Sequence, residues 1–258
     1  MNNLIRDMLY SYEPISLTDL MDYKLLSRID TKYICNIQQL PAIISSISND
    51  FKIQTSGSER IFGYESLYFD TPQMKSYFDH HQGKRIRYKI RFRKYLDTGD
   101  VFLEVKRKKN FNRTDKKRKE FEFATTLESN HLQFIDEYID LPEKGLNPSI
   151  WTYFDRITLA GKNHLERVTI DTNIQFKNND KSITLPGLIV IETKREKERE
   201  TSPFSKVLHD AHIKPYGFSK YIMGNIVLNP RIKHNRFITK ISTVKQICYG
   251  TKYDNRFF

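Results

Sequence analysis

Arg85, Arg87, Lys89, Arg91 and Arg93 stand two residues apart, with Ile86, Tyr88, Ile90 and Phe92 between them. On an extended strand alternate side chains take opposite faces. One face would be apolar and fit for a core, while the other would carry five cations about 6.6 Å apart. Such a row repels itself unless a polyanion or acidic neighbours compensate it. The next segment repeats the device, with Glu104, Lys106 and Lys108 on one face and Leu103 and Val105 on the other. Leu96 to Asp100, with Gly99, reads as the hairpin turn between them. A third strand-like segment runs from Lys117 through Arg118 to Phe123, after a polar connector around Asn110 to Asp115. Three such strands side by side would make a positively charged sheet surface, suited to phosphate.

The charge of the chain is concentrated there. From Lys84 to Lys119 sixteen lysines and arginines meet four acids, an excess equal to the +12 of all 258 residues. The remainder is neutral on balance. Hydrophobic residues make up 38%, with 17 Phe and 15 Tyr, so a sizeable core can form. The longest uncharged run, Tyr33 to Asn49, is broken by Asn36, Gln38, Gln39, Pro41 and serines, so no direct membrane insertion is expected. The amino end shows no secretory pattern. Two cysteines, Cys35 and Cys248, are too few for a disulfide framework or a four-ligand zinc site; reduced thiols in a cytoplasmic protein are expected.

The elements that must position these charges alternate between strands and short helices. Residues 1–24 read as a helical lead-in, with Ser16 capping the helix at Leu17. Lys24 to Cys35 reads as a strand with Arg28, Asp30 and Lys32 on one face, and Asn36 caps a helix to about Ser48, with Pro41 in its first turn. Phe62 to Asp70 is a strand, and Met74 to His81 a short helix closed by Gly83. Further strands are expected at Thr152 to Leu159, His164 to Ile174 and Leu188 to Lys194, with helices at Glu128 to Tyr138 and Ser202 to His212. No linker divides the chain. The fold class is α+β, a closed antiparallel β-barrel with helices at its rim, over residues 25–230; residues 231–258 read as a basic tail.

In the second half single charges recur inside apolar strands: Arg156, Arg167, Glu192 and Lys194, with Lys220 in an aromatic cluster beside Ser219. A lone buried cation is ordinarily half of a structural ion pair. Several on successive strands form a lining. Glu192 follows Leu188 to Ile191, and a buried carboxylate there needs a cation or a metal. A barrel lined with Arg, Lys and a few carboxylates can hold a polyphosphate chain and a divalent ion. Phosphoryl transfer needs mainly positioning and charge stabilisation, so no protein nucleophile is required. Phosphate-cradling and dinucleotide glycine loops are absent. His209 with His212 reads as a surface helix pair, His80 with His81 as a cap or dipole contact, and Asp70 as a turn residue.

The sequence resembles the VTC (vacuolar transporter chaperone) catalytic domain, the polyphosphate polymerase branch of the CYTH-like triphosphate tunnel metalloenzymes. The matching pieces run in order from Arg28–Tyr33 and Tyr68–Pro72 through Lys89–Tyr95, Phe102–Lys106, Lys117–Arg118, Tyr153–Arg156 and Arg167–Asp171 to Ile191–Lys194 and Phe218–Tyr221. The resemblance implies transfer of the γ-phosphate of ATP onto polyphosphate. It implies Lys32, Arg91, Arg93, Arg156, Arg167 and Lys220 as catalytic, with Lys89, Lys106, Arg118, Lys194 and Ser219 on phosphates. Glu192, with Glu104 second, would hold Mn2+ or Mg2+. Hydrolytic relatives begin with Glu-x-Glu-x-Lys, where this chain has Arg28, Asp30 and Lys32, which points to the polymerase branch. The alternatives are a triphosphatase of the same fold or a non-catalytic module binding polyphosphate or nucleic acid; nucleic acid is not the expected ligand. A membrane partner protein is expected to receive the product, since the sequence shows neither an SPX-like region nor a membrane segment.

Overall fold

The computed structural model describes residues 3–22, 28–109, 114–140, 145–196 and 202–251. Eight strands follow one another across the main sheet. In spatial order they are β2 (Arg28–Asn36), β11 (Leu188–Glu196), β9 (Glu166–Lys177), β8 (Asn147–Gly161), β4 (Phe62–Asp70), β5 (Arg87–Tyr95), β6 (Val101–Lys108) and β7 (Thr114–Glu120), every neighbouring pair antiparallel. β3 (Phe51–Thr55) joins β8, β10 (Ser182–Thr184) joins β9, and β1 (Glu13–Ser16) lies parallel to β3. The class is therefore α+β on an antiparallel sheet, as the alternation predicts. Full closure is corrected. Among the described residues β7 and β2 end the order with no hydrogen bonds between them.

Most strands of the main sheet are packed on one face from outside. Tyr33, Cys35, Ile157, Leu159, Val168, Ile170, Ile189 and Ile191 meet α1 (Asn3–Tyr10), α3 (Leu40–Ile47) and α6 (Pro203–Asp210). Leu67, Phe69, Ile90, Phe92, Leu103 and Val105 meet α5 (Ser129–Asp136). The apolar alternation of β5 thus faces this outer layer, and its cations face the other way. Ile86, expected on the apolar face, precedes the strand and is exposed.

The opposite face is filled at one end by α7 (Lys220–Leu228), which lies with α4 (Lys75–His81) and α8 (Ile238–Tyr249) over Tyr64, Tyr68, Ile150, Phe154, Phe176 and Val190. Every α7 residue from Tyr221 to Leu228 is buried. Gly224 permits the close approach, because a Cβ there would stand 2.6 Å from Ile150 Cδ1 and 2.8 Å from a Phe176 ring carbon. Asp70 ties the end together. Its Oδ1 accepts from the amides of Thr71 (2.7 Å) and Ser76 (2.8 Å), and its Oδ2 from the Tyr77 amide (3.0 Å) and the Tyr221 hydroxyl. The turn residue of the sequence also anchors α7.

Several local signals appear as read. Ser16 Oγ accepts from the Asp19 amide at 3.0 Å at the start of α2 (Leu17–Asp22). Asn36 caps a 3-10 turn that leads into α3 with Pro41 in its first turn, and Ser202 caps α6 ahead of Pro203. The beginning of the strand read from Lys24 lies outside the described residues. The segment read as a basic tail holds α8, whose Ile241 and Val244 join the core around α7. No helix among the described residues is long and apolar enough to cross a membrane.

Candidate active site

The register fixes which side chains share the inner face. Lys32 lies opposite Glu192, and Asp30 opposite Lys194. Lys194 lies opposite Arg167, Arg156 opposite Asp171, Arg93 opposite Ser66 and Arg91 opposite Tyr68. Across the next pairs Arg91 lies opposite Glu104, Lys89 opposite Lys106, and Glu104 opposite Arg118. All the predicted strand positions therefore point to one side. Ser219 and Lys220 reach the same face from the start of α7. Ser219 Oγ accepts from Lys89 on β5 at 2.9 Å, while Lys220 pairs with Asp171 on β9. Those two strands are three places apart, so the sheet curls around the helix end.

The charges are grouped in a repeated unit, one carboxylate held between two cations. Glu104, with no exposed surface, accepts on Oε2 from Arg91 Nε (2.8 Å) and Nη2 (2.6 Å), and Lys116 pairs with Oε1. Arg91 Nη1 donates to the Tyr68 hydroxyl at 2.7 Å. Asp171, 3% exposed, takes Arg156 in a fork, Nε to Oδ1 at 2.6 Å and Nη2 to Oδ2 at 2.9 Å, and takes Lys220 as well. Glu192 receives Lys32 Nζ on Oε1 at 2.5 Å and Lys194 Nζ on Oε2 at 2.8 Å. Burial alone would raise all three carboxyls, yet the paired cations overcome it and hold them below the ordinary carboxylate range. Each unit keeps one positive charge in excess.

Between the units stand cations with no acid of their own. Among the described residues Arg93 has one side-chain hydrogen-bond partner, Ser66 Oγ at 3.3 Å, and its guanidinium lies over the Tyr64 and Phe154 rings. Lys89 has Ser219. Lys106 makes no hydrogen bond or ion pair among the described residues. Burial, then Arg87, Lys32 and Arg91, pushes Lys89 down to about 7. Arg91, then burial, brings Lys106 well below an ordinary lysine. Burial, then Arg91, also lowers Arg93. Concentrated positive charge in a poorly hydrated space is a site built for an anion.

Two expectations change in detail. Arg91 presents no free fork, because all three of its nitrogens are engaged, so it braces Glu104 and Tyr68. Glu104, expected as a second metal ligand, lies between Arg91 and Lys116 with no exposed surface. Arg167 donates to the Leu20 carbonyl oxygen, which ties β9 to α2. Arg118 lies over the Phe102 ring at 4.7 Å on an exposed strand. His81 is buried and bonded to Asn235 Oδ1 at 2.8 Å, and His80 is held neutral by burial and nearby cations, so His80 is not a charged cap. His209 is an exposed surface residue.

Sequence reasoning gave no role to Asp171, Lys116, Ser66 or Tyr68. Two signals were there: Asp171 is four residues beyond Arg167 on the same strand face, and Lys116 is two before Arg118.

For a divalent ion, no three acidic, histidine or cysteine side chains come together among the described residues. Glu192 remains partly exposed and offers two hard oxygens. That donor set suits Mn2+ or Mg2+ only when phosphate oxygens supply the remaining ligands, the ordinary habit of Mg2+ at phosphate sites.

The family model described as the VTC domain matches residues 27–229. No curated protein sequence matches the chain. Among solved structures, a candidate adenylate cyclase from Bacillus halodurans superposes with TM-score 0.52 at 11% identity, covering 75% of this chain and 94% of that one. A candidate adenylyl cyclase from Hippeastrum with a dominant triphosphatase activity gives TM-score 0.48 at 14% identity, over 76% and 94%. A Pyrococcus horikoshii protein gives 0.44 at 12%, over 79% and 100%. The Bacillus match shows a shared fold.

Proposed function

The chain belongs to the VTC domain family, and on that premise we propose that it transfers the γ-phosphate of ATP onto a polyphosphate chain held on its basic inner face. The observation that carries this reading is the set Lys89, Arg93 and Lys106, cations without an acid partner among the described residues, lying between three carboxylates that are each clasped by two cations. A face built only for stability would pair its charges. Here the surplus is spread over several strands, as a chain of phosphates requires.

In this reading an oxygen of the terminal phosphate of the growing chain attacks the γ-phosphorus of ATP. A new P–O bond forms there, the bond from that phosphorus to the β–γ bridging oxygen breaks, and ADP leaves. The attacking oxygen is already anionic, so no general base is needed. Arg93, Lys89 and Lys106 take phosphate oxygens, with Arg118 at the β7 side. Lys220 and Arg156, set by Asp171, and Lys32 and Lys194, set by Glu192, flank the reacting group. A divalent ion, Mn2+ or Mg2+, would be held by Glu192 and would neutralise charge on the bridging phosphates.

The test is to incubate the purified chain with ATP and Mn2+ and to measure long-chain polyphosphate, ADP and free phosphate together. Polymer with matching ADP is the expected result. Free phosphate without polymer would place the chain with triphosphatases, and bound ATP without turnover would make it a binding module; both overturn the proposal. An export partner in a membrane belongs to the same reading.

A further inference from the structure

The cations of the inner face rest on two kinds of support. Glu104, Asp171 and Glu192 hold some of them by ion pairs. The other support is aromatic. Tyr64 on β4 lies opposite Phe154 on β8 and Tyr95 on β5. The Tyr64 and Phe154 rings are stacked, 8° from parallel with centroids 5.1 Å apart, and both are buried. The Tyr95 ring follows 5.0 Å from Tyr64, and Phe102 on β6 follows 5.9 Å from Tyr95. Four rings thus cross four neighbouring strands.

Three cations converge on the stacked pair. Arg93 Cζ stands 5.4 Å from the Tyr64 centroid and 5.7 Å from that of Phe154. Arg156 Cζ stands 5.0 and 5.2 Å from the same two centroids. Lys220 Nζ lies 4.1 Å from the Phe154 centroid. These side chains come from β5, β8 and the start of α7. One carboxylate, Asp171, pairs with both Arg156 and Lys220, while Arg93 has no acid partner among the described residues.

A carboxylate holds a cation by cancelling its charge. A ring face attracts the cation through its quadrupole and leaves that charge whole. A guanidinium lying over a ring also keeps its in-plane N–H donors, the ones that phosphate oxygens accept from. Without a support, three like charges on separate elements repel one another apart. A second acid would gather them and weaken their hold on phosphate.

We propose that Tyr64 and Phe154 are positioning residues: their stacked faces gather Arg93, Arg156 and Lys220 without neutralising them, so that a phosphate chain meets a preset cationic cluster. This rests on the inner face binding condensed phosphate, as proposed above. Rings that served only as core would support phosphate binding no better than any apolar group of the same shape.

The experiment is calorimetric titration of inorganic tripolyphosphate into the wild-type chain and four variants. Trifluorophenylalanine in place of Phe154 keeps the shape of the ring and drains its face of negative charge. Affinity is expected to fall about fivefold, the scale of one partly buried cation–π contact. Tyr64→Leu should lose a similar factor, and Tyr64→Phe should recover it. In an Arg93→Met background Tyr64→Leu should cost less than it does in the wild type, because part of its effect passes through that guanidinium. The fluorinated ring fills the space of the native one, so its result decides the matter even where Tyr64→Leu fails to fold. Unchanged affinity with the fluorinated ring, or losses from Tyr64→Leu and Arg93→Met that simply add, would overturn the positioning role and leave the inner-face reading standing. A wild-type chain that does not bind tripolyphosphate overturns both.

Discussion

Arg91 gives two of its nitrogens, at 2.8 and 2.6 Å, to a single oxygen of Glu104 on the neighbouring strand. The Arg91 side chain is 9% exposed and that of Glu104 fully buried. Removing one member of such a pair leaves an uncompensated charge, the costly case for a buried ion pair. Arg91→Ala is therefore expected to destabilise the fold by about 3 kcal/mol, near the low end for broken buried pairs because Lys116 still faces Glu104. Urea unfolding measures it. Adding Glu104→Gln should restore part of the loss, and no loss in the single variant would mean that Glu104 does not depend on Arg91.

Lys89 makes anion binding and folding respond oppositely to pH. Its folded pKa of about 7 lies below the ordinary 10.5. Between those values the unfolded lysine holds a proton that the folded one has released, so this residue makes stability rise with pH across that window. A bound phosphate favours the ammonium form, so binding above pH 7 must take up a proton. Tripolyphosphate affinity should accordingly fall as pH rises from 7 towards 9, with Lys116 and Lys220, each at about 8, extending the decline. Lys89→Met should remove the step near 7 in calorimetric titrations; a profile identical to wild type would exclude Lys89 as its source.

Glu192 tests the metal. Its side chain is partly exposed and rests between Lys32 and Lys194 rather than in the apolar core, so Glu192→Gln is expected to fold normally. Metal-dependent turnover should drop by at least about a hundredfold, the scale of losing a Lewis-acid site. Titration of Mn2+ into the chain loaded with tripolyphosphate gives a readout independent of turnover, and the variant should lose that binding. Full activity with intact Mn2+ uptake would remove Glu192 from the site.

Gly224 tests the seating of α7. A methyl group there meets Ile150 and Phe176 at distances no Cβ sustains, so Gly224→Ala should cost about 1–3 kcal/mol by overpacking despite its better helix propensity. A lower thermal midpoint is the expected result. A stabilised variant would show that the helix can withdraw from β8 and β9 without loss.

The inward row of β5 was legible because period 2 is the one pattern a strand cannot hide: Arg87, Lys89, Arg91 and Arg93 fall on one face by geometry alone. The caps at Ser16, Asn36 and Ser202 were legible for a similarly local reason. What escaped was non-local. Asp171 looks like any strand aspartate until the fold sets it between Arg156, fifteen residues earlier, and Lys220, forty-nine residues later. Arg91 reads as a phosphate fork until Glu104 is found in it. The parallel pairing of Glu13–Ser16 with β3 leaves no mark in four residues, whereas α8 does show helical spacing, at Ile241, Val244 and Cys248, beneath the basic composition of its segment.

The pairing of β2 with β11 sets an order of events during synthesis. Lys32 meets Glu192 across 160 residues, and Asp70 meets Tyr221 across 151. The β5–β6–β7 meander, by contrast, is made of neighbouring segments and can form as soon as it leaves the ribosome. For much of translation the nascent chain therefore carries its densest cationic strands while Asp171, Glu192 and the α7 plug do not yet exist. Asp171 and Glu192 then pair with Arg156, Lys220, Lys32 and Lys194 rather than with the meander, and the start of α7 brings Ser219 to Lys89 on that surface. Chains released before residue 220 would keep it bare, and would be expected to adhere to whatever polyanion lies nearest.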